Sequence, residues 1–289
     1  MAEVKVRKKK QSQFSIVMHR LKKNKMAMLG LILITLLTLA CVGAPLIAPY
    51  GYEQQDWYNI FAAPSKEHLL GTDKLGRDIL SRLLYGGRQS LKIGVVSVAI
   101  ASTLGIIFGS IAGYYGGKVD NYMMRILDVI QAVPALLLSI AVATSLGPGI
   151  NNAMLAIGLT TIPPYARLTR ASFMSVRGME YVEAATAINA TDFRIIIKHI
   201  LPNAIAPLIV QITMSVGSSI LAAASLSFMG LGAQPPLPEW GAMLAEGRGY
   251  MRDYPHLCII PGLVIMVAVL SLNMLGDGLR DALDPRLKN

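Results

Sequence analysis

A long apolar run without charge constrains this chain more than any other feature. Residues Met26 to Ala48 contain no Asp, Glu, Lys or Arg. About 20 consecutive apolar residues are enough for a helix to cross the hydrocarbon core of a bilayer. A secretory signal peptide also starts with basic residues, but its apolar core is about 7–15 residues long and ends at a small-residue cleavage site. We therefore interpret residues 26–48 as a retained first transmembrane helix.

Five further stretches without charge follow, at residues 93–115, 129–146, 151–166, 204–231 and 257–276. The third and fourth spans are short, and the pair Pro163-Pro164 is expected to end or kink the fourth. Only 15% of the residues are charged, whereas a soluble domain carries about 25% to coat its surface. The sequence thus predicts an all-α polytopic membrane protein with six transmembrane helices.

The distribution of basic residues predicts the orientation in the membrane. The net charge of +10 fits either nucleic acid or an anionic membrane surface. Nine of the 27 Lys and Arg residues lie within residues 1–25, which favours membrane lipid and argues against nucleic acid. With the N-terminus in the cytoplasm, the inner segments hold 19 of the Lys and Arg residues and the outer segments 8. Because inner loops are enriched in Lys and Arg, both termini are predicted to be cytoplasmic.

Five segments follow from these spans. The predicted segments are a basic cytoplasmic segment (1–25), the first transmembrane helix (26–48), an extracytoplasmic loop (49–92), a core of five transmembrane helices (93–276) and a cytoplasmic tail (277–289). In the loop 49–92, apolar residues recur at three- and four-residue steps from Leu75 onward. That spacing predicts a helix along the membrane surface, and a small soluble cap remains the alternative. The proline-rich loop 232–256 fits either a contact or gating segment or a stiffened cap.

No span contains a group that would power transport. Asp128 and Asp277 lie at span ends, whereas ion-coupled secondary carriers place ionisable residues at membrane depth. The stretch AGYYGGKV (112–119) approaches a phosphate-binding loop, but it lacks the first Gly and has Val119 where Ser or Thr would bind magnesium. The four His residues show no metal-binding spacing, and no catalytic motif supports a membrane enzyme. The chain is predicted to be non-catalytic, without metal or cofactor, and to take its energy from a partner.

The longest predicted cytoplasmic loop, residues 167–203, has the pattern of a docking element. A short helix is predicted over residues 179–188, ended by Asn189 in the left-handed conformation. Thr191 is a good N-cap for a second short helix, which we expect to end at a break before Pro202. Composition alone leaves open an ordinary amphipathic loop that covers the helix ends.

Two long motifs carry a resemblance to a known family. The stretch EAATAINATDFRIIIKHILPN (183–203) is similar to the EAA loop of ABC importer permeases, with Asn189 in place of the family's Gly. The stretch HLLGTDKLGRDILSRLLYGGRQSL (68–91) resembles the outer-loop signature of C-type permeases of dipeptide, oligopeptide and nickel importers. The basic head, residues 127–140 and 225–232, and the tail DPRL (284–287) fit the same subfamily. The EAA-loop residues that match as they stand are Glu183, Ala184, Ala185, His199, Leu201, Pro202 and Asn203.

The resemblance implies a prokaryotic cytoplasmic-membrane permease with a coupling helix that fits a cleft on a nucleotide-binding subunit. The partners it implies are a second, similar permease, one or two nucleotide-binding subunits that hold ATP and magnesium, and an extracytoplasmic solute-binding protein. Dipeptides or oligopeptides are the expected cargo, with nickel or another small ligand as the alternative. The coupling residues it implies are Glu183, Ala184, Ala185, Asn189, Leu201 and Pro202.

The predicted fifth span is the preferred pathway segment. Its small polar residues are expected to line the pathway, although small residues also allow close helix packing. The candidates are Ser215, Ser218, Ser219 and Ser225.

Overall fold

The structure is a computed structural model that describes residues 13–283. Residues 1–12 of the predicted basic segment and the DPRL tail (284–287) therefore lie outside the described residues. The helices, in chain order, are α1 (Gln13–Lys23), α2 (Lys25–Val42), α3 (Ala44–Ile47), α4 (Ile79–Tyr115), α5 (Gly117–Gln131), α6 (Ala135–Leu146), α7 (Ile150–Thr160), α8 (Ile162–Arg177), α9 (Glu180–Ala187), α10 (Asp192–Arg194), α11 (Leu201–Phe228), α12 (Trp240–Gly247) and α13 (His256–Leu283). Within these residues the fold is all-helical, apart from loops and one isolated bridge between Thr72 and Asp78.

Four helical stretches in the described part of the chain are long and apolar enough to cross a membrane. They are α2, α4, the continuous stretch Asp192–Phe228 and α13. The pair α5 and α6 makes a fifth span if it is counted as one, although it bends by 83° at residues 132–134, where Pro134 occupies the N-cap position of α6. The fold class is as predicted, but the count of six is not confirmed. The predicted fourth span falls on α7 and the start of α8, which have only 11 and 16 residues.

Helix α4 is the centre of the bundle and packs closely against α8. Three glycines spaced by four residues face α8, and each lies where a side chain would collide with it. A Cβ atom on Gly105 would lie 2.4 Å from the Tyr165 Cβ, and one on Gly109 would lie 2.3 Å from the Ala166 carbonyl oxygen. A Cβ on Gly113 would lie 2.7 Å from the Phe173 Cβ. Small residues at such a seam let two membrane helices approach backbone to backbone.

The predicted surface helix is not a separate element. Helix α4 starts at Ile79 and continues through the predicted boundary at residues 92 and 93 without a break, for 37 residues. Asp78 is its N-cap, with a side chain that accepts a hydrogen bond from the Ser81 amide at 2.8 Å. Gly76, with φ 68°, turns the chain immediately before it. The apolar spacing from Ile79 onward therefore belongs to the extended end of a spanning helix.

Residues 49–78 and 232–255, which fall within the two predicted outer segments 49–92 and 232–256, pack together into a cap at one end of α4. The Arg77 guanidinium donates to Glu246 at 2.5 Å, and Arg82 donates to the same carboxylate at 2.8 Å. Asp73 also accepts from both arginines. Phe61 stacks on Tyr254 with ring centroids 4.3 Å apart. Of the two alternatives for the loop 49–92, the cap therefore describes residues 49–78, and the rest of the loop belongs to α4.

Candidate coupling site and pathway

Helix α9 ends as the sequence predicts. It covers Glu180–Ala187, within one residue of the predicted bounds at each end. Asn189 has φ 57°, so the left-handed conformation expected of it is confirmed. Its amide donates to the Thr186 carbonyl at 2.9 Å, and the Ala190 amide donates to the Ala185 carbonyl at 3.1 Å. These two bonds make a Schellman motif, in which Asn performs the role that Gly has in the family pattern.

The predicted break before Pro202 is wrong. Thr191 occupies the N-cap position of α10, without a side-chain capping bond, and the helix then continues from Asp192 to Phe228. A π turn over Ile195–Ile200 precedes Leu201, whose amide donates to the Ile196 carbonyl five residues back. Such a turn widens the helix and shifts its hydrogen-bonding register, so a proline without an amide hydrogen is accommodated.

The residues of the EAA motif point in different directions. Glu183 and Ala184 are exposed, whereas Ala185 is only 4% exposed and belongs to an apolar cluster beneath α9. Leu201 packs against the same cluster, and Pro202 is exposed. Ala185, one of the coupling residues that the resemblance implies, therefore faces the inside of this subunit and not its surface. The buried members of the cluster are Phe173, Val182, Ala185, Ile195, Ile200 and Ala204.

Large apolar side chains, which are not among the predicted coupling residues, extend the surface around Glu183. Ile188 is 81% exposed and Phe193 is 76% exposed, on either side of the Asn189 turn. Tyr181 is also exposed. The sequence already contains a sign of this surface, because Ile188 and Phe193 are bulky apolar residues on either side of a predicted tight turn. We call the exposed residues Tyr181, Glu183, Ala184, Ile188 and Phe193 the coupling surface.

A polar cleft of about 300 Å³ lies where α4, α8 and residues 180–194, which we call the coupling segment, meet. The Tyr114 hydroxyl donates to one oxygen of the Asp192 carboxylate at 2.8 Å, and the Tyr115 hydroxyl donates to the other at 3.0 Å. Arg177, at the end of α8, lines the same cleft. The end of α4 is thus bonded directly to the first residue of the long helix that follows the turn.

Ion pairs join the neighbouring helices on this side of the bundle. Arg170 on α8 pairs with Asp120 on α5, and Arg167 pairs with Asp128 on the same two helices. Helices α4, α5 and α8 therefore form one connected support beneath the coupling segment.

The four candidate pathway serines do not share a face of α11. Ser218 is exposed and Ser215 and Ser225 are half-buried, at spacings of three and seven residues that place them on one side of a helix. Ser219 is only 4% exposed and faces neighbouring helices. The hydroxyl of Ser218 donates to the Ser215 carbonyl at 3.0 Å, which satisfies its hydrogen within the helix.

The polar stripe on α11 extends further than the serines. Gln211 donates to the Ser215 hydroxyl at 3.1 Å, and Asn203 lies eight residues before Gln211 on the same side. Both line a cavity of about 580 Å³. Polar groups at membrane depth avoid lipid, so a stripe of this kind faces a partner or water. The three- and four-residue spacing of this stripe is present in the sequence, but Asn203 and Gln211 are not among the predicted pathway residues. The residues around the cavity are Leu168, Asn203, Ala206, Pro207, Val210, Gln211, Met214, Arg280 and Leu283.

Relatives of known name match almost the whole chain. The chain is 47% identical to the dipeptide transport system permease protein DppC of Alkalihalophilus pseudofirmus, over 93% of this chain and 89% of that protein. It is 46% identical to the glutathione transport system permease protein GsiD of Escherichia coli O6:K15:H31, with the same coverage. It is 45% identical to the di/tripeptide transport system permease protein DppC of Pseudomonas aeruginosa, over 92% and 90% of the two chains.

Solved structures of ABC transporters share the fold. The inward-facing MetNI methionine ABC transporter matches with a TM-score of 0.58 at 18% identity, over 70% of this chain and 96% of that chain. An amino acid ABC transporter crystallised with histidines matches with a TM-score of 0.53 at 16% identity, over 69% and 93%.

Two family descriptions cover the sequence itself. Residues 12–64 match the N-terminal TM domain of oligopeptide transport permease C. Residues 105–289 match the inner membrane component of binding-protein-dependent transport systems. The chain is an integral inner-membrane protein and belongs to the family of binding-protein-dependent transport system permeases.

Proposed function

We propose that this permease carries short peptides, as one of two similar permease subunits of an ATP-driven importer. The observation that carries the proposal is the set of relatives at 45–47% identity, which are named for dipeptides, di/tripeptides or glutathione and match along 89% or more of their length. The resemblance of residues 68–91 also admits nickel or another small ligand as cargo.

Energy enters from nucleotide-binding subunits, which hold ATP and magnesium. The coupling surface is the docking element: Ile188 and Phe193 supply apolar contact, and Glu183 pairs with a basic or donor group of the partner. Val182 and Ala185 hold α9 on the cluster beneath it. Helix α9 therefore moves with the spans as a rigid body when the nucleotide-binding subunits close. This chain contributes no cofactor and no catalytic residue to the cycle.

The pathway runs along the polar stripe of α11. Gln211, Ser215, Ser218 and Ser225 face the second permease across it, while Ser219 packs inside this subunit. Amide and hydroxyl groups suit a peptide, whose backbone offers donors and acceptors in equal number. Both termini lie in the cytoplasm, so that the cap is outside, where a solute-binding protein delivers the cargo.

Uptake into proteoliposomes tests the proposal. The complete importer is reconstituted with its partner subunits and binding protein, and uptake of a radiolabelled dipeptide, a radiolabelled tripeptide and ⁶³Ni²⁺ is measured with and without ATP. We expect ATP-dependent peptide uptake only. Nickel uptake without peptide uptake would contradict the cargo, and uptake that follows an ion gradient without ATP would indicate a secondary carrier.

A further inference from the structure

We propose that Tyr114, Tyr115 and Asp192 form a positioning clamp that transmits motion of the coupling segment to α4. This role rests on the proposed function, since it requires the coupling segment to be driven by a nucleotide-binding partner. None of the three residues belongs to the coupling surface, although they line the same cleft as Glu183 of that surface.

The geometry of the clamp is specific. Tyr114 and Tyr115 are adjacent in the last turn of α4, and their ring centroids lie 5.0 Å apart at 82°. Their hydroxyls donate to different oxygens of the single Asp192 carboxylate, at 2.8 and 3.0 Å. Neighbouring residues of a helix point about 100° apart. The two side chains nevertheless converge on one acceptor at the last turn of α4, just before Gly116 (φ 65°) ends the helix.

The clamp joins the two longest helices of the described chain at the point where force would enter. Helix α4 has 37 residues, and the helical stretch that starts at Asp192 also has 37. Asp192 follows the Asn189 turn, and α9 precedes that turn. Because both carboxylate oxygens are bonded, rotation of the Asp192 side chain is restricted. A displacement of α9 then reaches α4 through the two hydrogen bonds of Asp192. The same displacement reaches α11 through the backbone.

A second role of Asp192 has to be separated from this one. A carboxylate in the first turn of a helix stabilises that helix through its dipole and free amides. Replacing the tyrosines by phenylalanine leaves this effect intact and keeps the ring of Tyr114 in the apolar cluster. The double variant Y114F/Y115F therefore removes the two hydrogen bonds and little else. Tyr122→Phe, at an exposed tyrosine of α5, is the matched control.

The first measurement is the coupling ratio of the reconstituted complete importer, as peptide transported per ATP hydrolysed. Each bond to the charged acceptor biases the clamped state, so we expect the ratio of Y114F/Y115F to fall at least about fivefold. Complex yield and ATP hydrolysis should stay near the wild-type values. A ratio equal to that of Tyr122→Phe would overturn the proposal, and so would a parallel loss of yield, hydrolysis and transport.

A second measurement does not depend on the cargo. Amide hydrogen exchange of the purified complex is compared over residues 180–194, with α2 as the internal reference. We expect exchange in the double variant to rise at least about fivefold over that segment alone. Unchanged exchange would overturn the clamp even in a preparation that transports no peptide. If instead the wild-type complex fails to take up peptide while exchange responds as expected, the cargo assignment fails and the clamp stands.

Discussion

Glu183 and Ala185 lie two residues apart on α9 and face opposite ways. The Glu183 side chain is exposed, whereas Ala185 is 4% exposed and packs in the cluster with Phe173 and Ile200. One short motif therefore contains both a docking residue and the residue that anchors the docking helix. Substitutions at the two positions should fail for different reasons, and this difference can be measured.

Glu183→Lys should abolish transport or assembly with the nucleotide-binding subunits while leaving membrane insertion intact. The substitution reverses the charge at the centre of the coupling surface, and like charges across an interface cost several kcal/mol. Co-purification of the subunits, ATP hydrolysis and peptide uptake check this. Glu180→Lys, on the exposed first turn of the same helix, is the control. Full peptide uptake with normal ATP hydrolysis in Glu183→Lys would contradict a docking role for Glu183.

Ala185→Leu should destabilise the isolated subunit, since it adds three carbon atoms to a filled cluster. Overpacking of this kind costs about 1–3 kcal/mol. Thermal unfolding in detergent, monitored as the loss of monodisperse protein on heating, measures the effect. The neighbouring Ala184→Leu is the contrast, because Ala184 is exposed. It should leave the thermal midpoint unchanged and weaken only co-purification of the nucleotide-binding subunits. Equal midpoints for the two variants would show that Ala185 is not an anchor.

The cap should lose stability on acidification through Glu246. Burial acts to raise the pKa of Glu246, but hydrogen bonding and charge from Arg82, with Arg77 and Lys74, hold the pKa below its ordinary value of 4.5. A carboxyl whose pKa is lowered in the folded state contributes stability above its ordinary pKa, and this is lost as the pH falls through the folded value.

Comparison with Glu246→Gln isolates that contribution. At pH 7 the variant should be less stable than the wild type. A buried charge left without any partner costs about 3–5 kcal/mol. The loss should be smaller than that, because Asp73 still pairs with both arginines. The two thermal midpoints should converge as the pH falls below 4.5. A difference that stays constant down to pH 3 would contradict the ion-pair origin.

Ser218 and Ser219 provide a paired test of the pathway. With Cys41 and Cys258 replaced by Ser, Ser218→Cys should react with a charged, membrane-impermeant thiol reagent at least about tenfold faster than Ser219→Cys. A thiol reacts as the thiolate, which forms only where water reaches it, and Ser219 is buried among helices. Equal slow rates at both positions would indicate that the exposed face of α11 contacts lipid.

Much of this protein follows from the sequence through rules that act over a few residues. Charge-free runs predict membrane helices because lipid offers no hydrogen-bond partner to a backbone group and no counter-charge to an ion. Five of the six predicted stretches fall on helices that are long and apolar enough to cross a membrane, either alone or as the bent pair α5 and α6. The left-handed turn at Asn189 also follows locally, since Asn tolerates positive φ better than other residues with a side chain.

Tertiary structure decided what local rules leave open. Pro202 does not end its helix, because the π turn before it absorbs the missing hydrogen bond. Leu75 starts no surface helix, because the cap places Asp78 as the N-cap of α4. The short motif did not reveal that Ala185 faces inward and Glu183 outward, or that Ser219 is buried beside an exposed Ser218. Which side of a helix is covered depends on the neighbours that pack against it, and those neighbours come from distant parts of the chain.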